Sequence, residues 1–301
     1  MAPAHAPSLE IRGLTKRFRR VVALDSLDLT LSPGEVFALL GSNGSGKSTT
    51  FRLLLNIYHP SSGEAIVLGT SSRKLDGRAL EKVGYISEGQ KLPAWMTVSR
   101  FLDYCAGFYS GWDAELCRSL VERFELPPLQ KIKHLSRGQR MKVCLAGTLP
   151  AHPALLMLDE PFSGLDVETR ASLSSLLRNL ALDTGLAILI TTHDVEEIEP
   201  VATRLGVLRL GKLIVDEPLQ SFLARHQFIH VDAGCFSTLP PDLSGSLMKT
   251  LSPNGCERFY TDSYTSDLEI RLRHHLGEDS SPTFTPMSLR EILSAPSLRR
   301  S

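Results

Sequence analysis

The stretch Gly41-Ser42-Asn43-Gly44-Ser45-Gly46-Lys47-Ser48-Thr49 fits G-x-x-x-x-G-K-[ST] and constrains the rest of the chain. The apolar run Val36-Phe37-Ala38-Leu39-Leu40 precedes it, as a buried parallel strand should. After it, Thr49 to Tyr58 carries apolar residues at helical spacing. The motif therefore sits between a strand and a helix, the context that marks a phosphate-binding loop. Its glycines let the backbone curl until several N–H groups point into one hollow. The start of the following helix adds the positive end of its dipole. Lys47 can reach the β- and γ-phosphates of a nucleotide, and the Ser48 hydroxyl can ligate Mg²⁺.

The chain has 301 residues, enough for one large domain and a smaller one. With 33 basic and 33 acidic residues the formal net charge is zero, which argues against a nucleic-acid binder working through bulk charge. The cluster Lys16-Arg17-Arg19-Arg20 reads as a solvated turn. Five cysteines form no C-x-x-C pair and read as buried small residues of a reduced protein. No apolar run approaches the roughly 18 residues of a membrane span, and Met1 to Ser8 lacks a signal pattern. These features predict a cytoplasmic chain whose membrane role, if it has one, comes through a partner.

Along the chain, Leu27, Leu29 and Leu31 alternate with Asp28 and Thr30 in a half-buried β pattern. Glu64 to Leu68 and Val83 to Ile86 read as short strands, followed by the polar loop Ser87 to Pro93. Residues 97–125 read as a helical block with Val98, Phe101, Leu102, Cys105 and Phe108 on one face, broken by Pro127-Pro128. Phe101, Cys105 and Phe108 are assigned to its core. Leu92, Trp95 and Met96 in the preceding loop suit a docking patch.

Leu135-Ser136-Arg137-Gly138-Gln139 opens a second helix, with Ser136 as its N-cap. Leu155 to Asp159 is a buried strand ending in the carboxylates Asp159 and Glu160, which suit metal ligation and water activation beside a phosphate loop. Asp166 is placed to cap a helix from Val167 to Leu182, and Ala187 to Thr191 is a strand leading to Thr192-His193-Asp194. From about Leu219 the apolar runs shorten. Strands at Phe228–Val231 and Arg258–Thr261, a helical face of Leu268, Leu272 and Leu276, and a capping box at Ser288–Glu291 suggest a small α+β appendage.

The phosphate loop, LSRGQ, LLMLDEPFSGLD and the strand-end His occur in one order over about residues 8–218. Together they resemble the ATP-binding cassette (ABC) ATPases, the motor subunits of ABC transporters, and within them the drug-, antibiotic- or lipid-export type. The resemblance implies an α/β P-loop fold: a mixed β-sheet core, an antiparallel β edge, and a helical subdomain at about 89–149. Residues 219–301 would form the C-terminal α+β extension. It implies ATP and Mg²⁺ as cofactors. By position, Phe18 matches the aromatic that stacks on adenine, and Gly41 to Thr49 the Walker A loop. Asp159 matches the Walker B acid that holds Mg²⁺, and Glu160 the general base. Ser136 and Gly138 match the signature that reaches the partner's γ-phosphate. Asp166 lies in the D-loop, and His193 matches the switch histidine.

A homodimer or cassette heterodimer with integral membrane permease subunits is implied, peripheral at the inner face of the cell membrane, with no nucleic-acid partner. Two departures stand out. Glu88 occupies the place of a Gln that touches Mg²⁺ or the attacking water; a carboxylate can ligate Mg²⁺ but, ionised, cannot donate to water. Arg137 stands where the signature usually has Gly. A soluble ABC ATPase acting on ribosomes or DNA and a regulatory, weakly active cassette are the alternative readings.

Overall fold

The structure is a computed structural model and describes residues 6–231, 247–251, 257–276 and 282–295. Residues 1–216 form one compact unit and residues 217–301 a second. In chain order the first unit runs β1 (Leu9–Phe18), β2 (Val21–Leu31), β3 (Val36–Leu40), α1 (Lys47–Leu54), β4 (Ser62–Val67), β5 (Thr70–Ser71), α2 (Gly77–Leu80) and β6 (Val83–Ile86). It continues with α3 (Val98–Ala106), α4 (Ala114–Arg123), α5 (Arg137–Ala146), β7 (Leu155–Asp159), α6 (Val167–Thr184), β8 (Ala187–Thr192), β9 (Arg204–Arg209) and β10 (Lys212–Pro218), whose last two residues fall in the second unit.

A six-stranded sheet in the order β10-β9-β3-β8-β7-β6 forms the centre. Strands β6, β7, β8, β3 and β9 pair in parallel. These strands are covered on both faces, which is why their sequences are continuously apolar rather than alternating. Leu156, Leu158, Ile188 and Ile190 pack toward α3–α6. Their sequence neighbours Leu155, Met157, Ala187 and Leu189 pack toward α1 and the second sheet. That second sheet, β2-β1-β4-β5, is antiparallel. The turn between β9 and β10 is Leu210-Gly211, with φ of 48° and 82°, a two-residue hairpin turn whose left-handed positions favour glycine.

The expected single helical block over 97–125 is two helices. Gly107 closes α3, and Asp113 opens α4 by accepting from the backbone N–H groups of Glu115 and Leu116. The chain leaves helical phase after Ala106, so Phe108 does not reach the core: it is 61% exposed, whereas Phe101 is buried. Cys105 is half-buried, and Cys117 and Cys144 are buried, all three as free thiols. Burial first, then a neighbouring thiol, pushes Cys105 up to about 11 and Cys144 up to about 12, so the reading of these as inert core residues holds. Cys235 and Cys256 lie outside the described residues. Among the described residues no helix is long and apolar enough to cross a membrane.

The second unit contains α7 (Leu219–Ala224), β11 (Gln227–His230), β12 (Met248–Leu251), β13 (Glu257–Thr261), α8 (Ser266–Leu276), β14 (Thr283–Pro286) and α9 (Leu289–Ser294). Its strands form an antiparallel sheet in the order β12-β13-β11-β14. Ile229, Phe259, Leu268 and Leu272 share one cluster, which joins the sheet to α8. Ser288 and Glu291 make the expected capping box at α9.

Candidate active site

Three neighbouring strands deliver the chemistry at their C-terminal ends: β3 leads into the phosphate loop, β7 into Asp159-Glu160, and β8 into His193. This is where an open α/β sheet holds ligands. The loop can make its turn only because of its glycines. A Cβ at Gly41 would stand 2.6 Å from the Leu208 carbonyl oxygen, and one at Gly46, where φ is 120°, would stand 2.6 Å from the Ala23 carbonyl oxygen. Gly46 is also the N-cap of α1, and it makes no side-chain cap bond to the first N–H groups. The hollow is therefore lined by backbone donors at the positive end of a helix.

Lys47 is buried at the first position of α1. Its Nζ donates to the Gly41 carbonyl at 2.5 Å and lies 3.4 Å from Glu160 Oε1. The other carboxylate oxygen, Oε2, accepts from His193 Nδ1 at 2.8 Å and from the His193 backbone N–H at 3.3 Å. With an ionised carboxylate as acceptor, Nδ1 carries the proton and Nε2 faces away. Glu160 has φ of 50°, a left-handed position that costs a non-glycine residue of order 1 kcal/mol or more. Its N–H donates to Thr191 O at 2.9 Å. A buried carboxylate on a strained turn, held at both oxygens, is fixed in direction rather than free to sample rotamers.

Asp159 is buried and accepts from Thr191 Oγ1 at 2.5 Å, which leaves its second oxygen available. Ser48 and Thr49 are half-buried on α1. Among the described residues no group of three His, Cys, Asp or Glu side chains could cage a metal. A hydroxyl and one carboxylate beside a phosphate hollow nonetheless suit Mg²⁺, which usually takes one or two protein ligands and completes its shell with phosphates and water. In the loop, Ser45 Oγ is buried with no partner among the described residues. Ser42, Asn43 and Gly44 are exposed at the tip.

Beside Glu160 lies a cavity of about 460 Å³ reached by Ser87, Gly89, Gln90, Arg137 and Ser163. Glu88 is exposed and is not part of this lining. Gly89, with φ of 59°, turns the chain so that Gln90 faces the cavity and its Oε1 accepts from the Ser87 N–H.

The comparisons with known proteins bear on this geometry. The ABC transporter family profile matches residues 24–163. The Nod factor export ATP-binding protein I of Burkholderia lata is 34% identical over 233 residues, covering 75% of this chain and 74% of its own. The sulfate/thiosulfate import ATP-binding protein CysA of Caulobacter vibrioides is 34% identical over 215 residues, 68% of this chain and 63% of its own. A solved structure of an ATP-binding subunit of an ABC transporter aligns with TM-score 0.65 at 26% identity, over 72% of this chain and 92% of that one. The chain belongs to the ABC transporter family. It is an ATPase cassette, built to bind ATP, and cassettes of this family function as dimers with membrane permease subunits.

In this ABC cassette the LSRGQ turn is a complete capping box. Ser136 Oγ accepts from the Gln139 N–H, and Gln139 Oε1 accepts from the Ser136 N–H. Gly138 is buried, and a Cβ there would stand 2.9 Å from Thr169 of α6. Asp166 caps α6, accepting from both the backbone and the hydroxyl of Thr169. Those bonds, the backbone one foremost, lower its carboxyl below the ordinary range. Arg137 is folded onto its own chain: Nη2 donates to Ser163 Oγ at 3.3 Å and the guanidinium covers Gly164.

Phe18 stands 38% exposed at the end of β1, edge-on to Tyr58 at 5.4 Å, with Lys16 Nζ 4.8 Å over its ring. Sequence reasoning missed Tyr58 as part of this aromatic corner, and it missed Thr191, Thr192 and Glu197 behind the site. Two adjacent threonines at the end of a buried strand, directly before His193, were the available signal.

Proposed function

We propose that this cassette is the ATP-hydrolysing motor of an exporter, working as a homodimer or with a second cassette on separate membrane subunits at the inner face of the cell membrane. The observation that carries the chemistry is the Lys47–Glu160–His193 constellation. Export is supported by the Nod factor export relative, whose similarity runs over 233 residues against 215 for the sulfate/thiosulfate import protein.

The reaction is phosphoryl transfer to water, and its barrier falls through positioning and charge neutralisation. The backbone donors of Gly41 to Thr49 and Lys47 Nζ hold the β- and γ-phosphates. Ser48 and Asp159 would hold Mg²⁺, which would supply neutralisation of the phosphate charge. Glu160 takes the proton of the attacking water, and His193, fixed through Nδ1, presents its other ring nitrogen toward the γ-phosphate. Phe18 stacks on adenine. The capped helix start at Ser136 and Gly138 completes the site of the partner cassette, with Asp166 at the seam.

The exposed aromatics Trp95, Tyr104 and Phe108, at 67%, 54% and 61%, offer the permease a docking surface. Tyr104 and Phe108 meet edge-on at 4.9 Å. Leu92 and Met96, by contrast, are partly buried against the core, so the patch shifts from the loop onto α3 and its end.

Glu160→Gln tests the reading. It keeps size and hydrogen bonding but removes the base, so turnover is expected to fall at least about a hundredfold while ATP still binds. Near-normal turnover would remove Glu160 from that role.

A further inference from the structure

Behind His193 lies a buried acid that the proposed chemistry does not use. Glu197 is in the short 3₁₀ turn Val195–Glu197, capped by Asp194, and only 3% of it is exposed. Its Oε2 accepts from Thr192 Oγ1 at 2.7 Å. That same hydroxyl accepts from the Asp194 N–H at 3.0 Å, so one oxygen grips the chain on both sides of His193. The other carboxylate oxygen faces Arg170 Nη2 of α6 at 3.9 Å, and Arg170 Nε is buried without a partner among the described residues. Burial raises the Glu197 carboxyl, as expected for an acid withdrawn from water with one loose cationic partner.

Such an arrangement adds little to stability, because desolvating an acid and an arginine offsets most of their attraction. Its geometry serves direction instead. The two hydroxyls at the end of β8 hold different acids, Thr191 bonding Asp159 and Thr192 bonding Glu197. Between Thr192 and Asp194, His193 has only to project toward Glu160.

We propose that Glu197 is a positioning residue for His193: through Thr192, and against Arg170 of α6, it fixes the turn from which His193 reaches Glu160. The inference rests on reading Glu160 and His193 as the hydrolytic pair. It also ties that pair to α6, the helix capped by Asp166, so the turn at Asp166 and the turn at His193 share one rigid support.

The test is ATP turnover and nucleotide affinity of the full chain carrying Glu197→Gln or Thr192→Val, each alone and combined with His193→Ala. Thr192→Val is nearly isosteric and covers the case in which Glu197→Gln fails to fold. Thr192→Val is expected to lower kcat about tenfold, the scale of losing a hydrogen bond to a charged group, and Glu197→Gln, which keeps an acceptor oxygen but loses the charge facing Arg170, to lower it by less, both with ATP affinity unchanged. In the His193→Ala background neither should lower it further, because the residue being positioned is gone. Equal losses with and without His193, or kcat unchanged in the folded single variants, would overturn the inference and leave the hydrolytic pair standing. Normal turnover by His193→Ala alone would overturn the reading of the pair, and this inference with it.

Discussion

Arg137 is the one signature residue with a charge, and its side chain is occupied by its own chain. It donates to Ser163 and covers Gly164, three residues after Pro161 in the turn that follows Glu160. Removing it should therefore leave the phosphate hollow intact. Arg137→Ala is expected to keep ATP affinity unchanged in calorimetry, whereas Lys47→Ala should weaken it, because a positive charge on the β- and γ-phosphates is lost. Equal losses in the two variants would place Arg137 on phosphate. Glu88 is exposed and outside the cavity lining. Glu88→Gln tests its place: an unmoved Mg²⁺ dependence of turnover is expected from that exposure, and a shift to higher Mg²⁺ would put Glu88 on the metal.

The residues readable from type and spacing were the phosphate-loop motif, Gly41 to Thr49, and the strand-end acids Asp159 and Glu160, whereas His193 was singled out by the family resemblance. Glu197 and Arg170 were not readable. In a sequence an acid in a helical turn and an arginine in a helix's first turn look solvated, and only the packing of α6 beside β8 buries Glu197 against a half-buried Arg170.

At the scale of elements, strands covered on both faces were easy to place, because β3, β7 and β8 are unbroken apolar runs bounded by motif residues. The segment 97–125 was harder. Its apolar spacing continues through Gly107 to Asp113, and nothing in periodicity alone separates a helix end from a helix interior. Phe108 moves from core to surface, where it meets Tyr104 edge-on, and Trp95 is exposed as well. The loop before α3 is pinned by the Ile132 N–H to Met96 O bond at 2.9 Å and by the Thr97–Lys131 bridge. Trp95 therefore projects from a fixed base. Trp95→Ala with Phe108→Ala is expected to abolish co-purification with the membrane subunits while basal ATPase and melting temperature stay unchanged. Retained partner binding would sink the docking surface, and joint loss of folding would mean that these rings are packing residues.

At the scale of the whole molecule, the second compact unit offers a clean case of pH dependence through one buried histidine. His226 is 2% exposed, and its Nδ1 donates to the Phe222 carbonyl at 2.6 Å. Burial foremost lowers its pKa below the ordinary histidine value of about 6.5. The folded unit therefore binds a proton at His226 less readily than the unfolded chain does. Stability from this site is complete above about pH 6.5, the unfolded value, and declines as pH falls below it until the folded pKa is passed. The backbone supplies a local reporter, because the Met287 N–H donates to the His226 carbonyl at the entry to α9. Hydrogen exchange at Met287 and along β11 should show less protection at pH 5.5 than at pH 7.5, after correction for the intrinsic exchange rate. His226→Gln removes the titrating group, so the variant, whatever its absolute stability, should lose this difference between the two pH values. An equal decline in protection for the variant and the parent chain would assign the effect to other histidines and leave His226 a neutral packing residue.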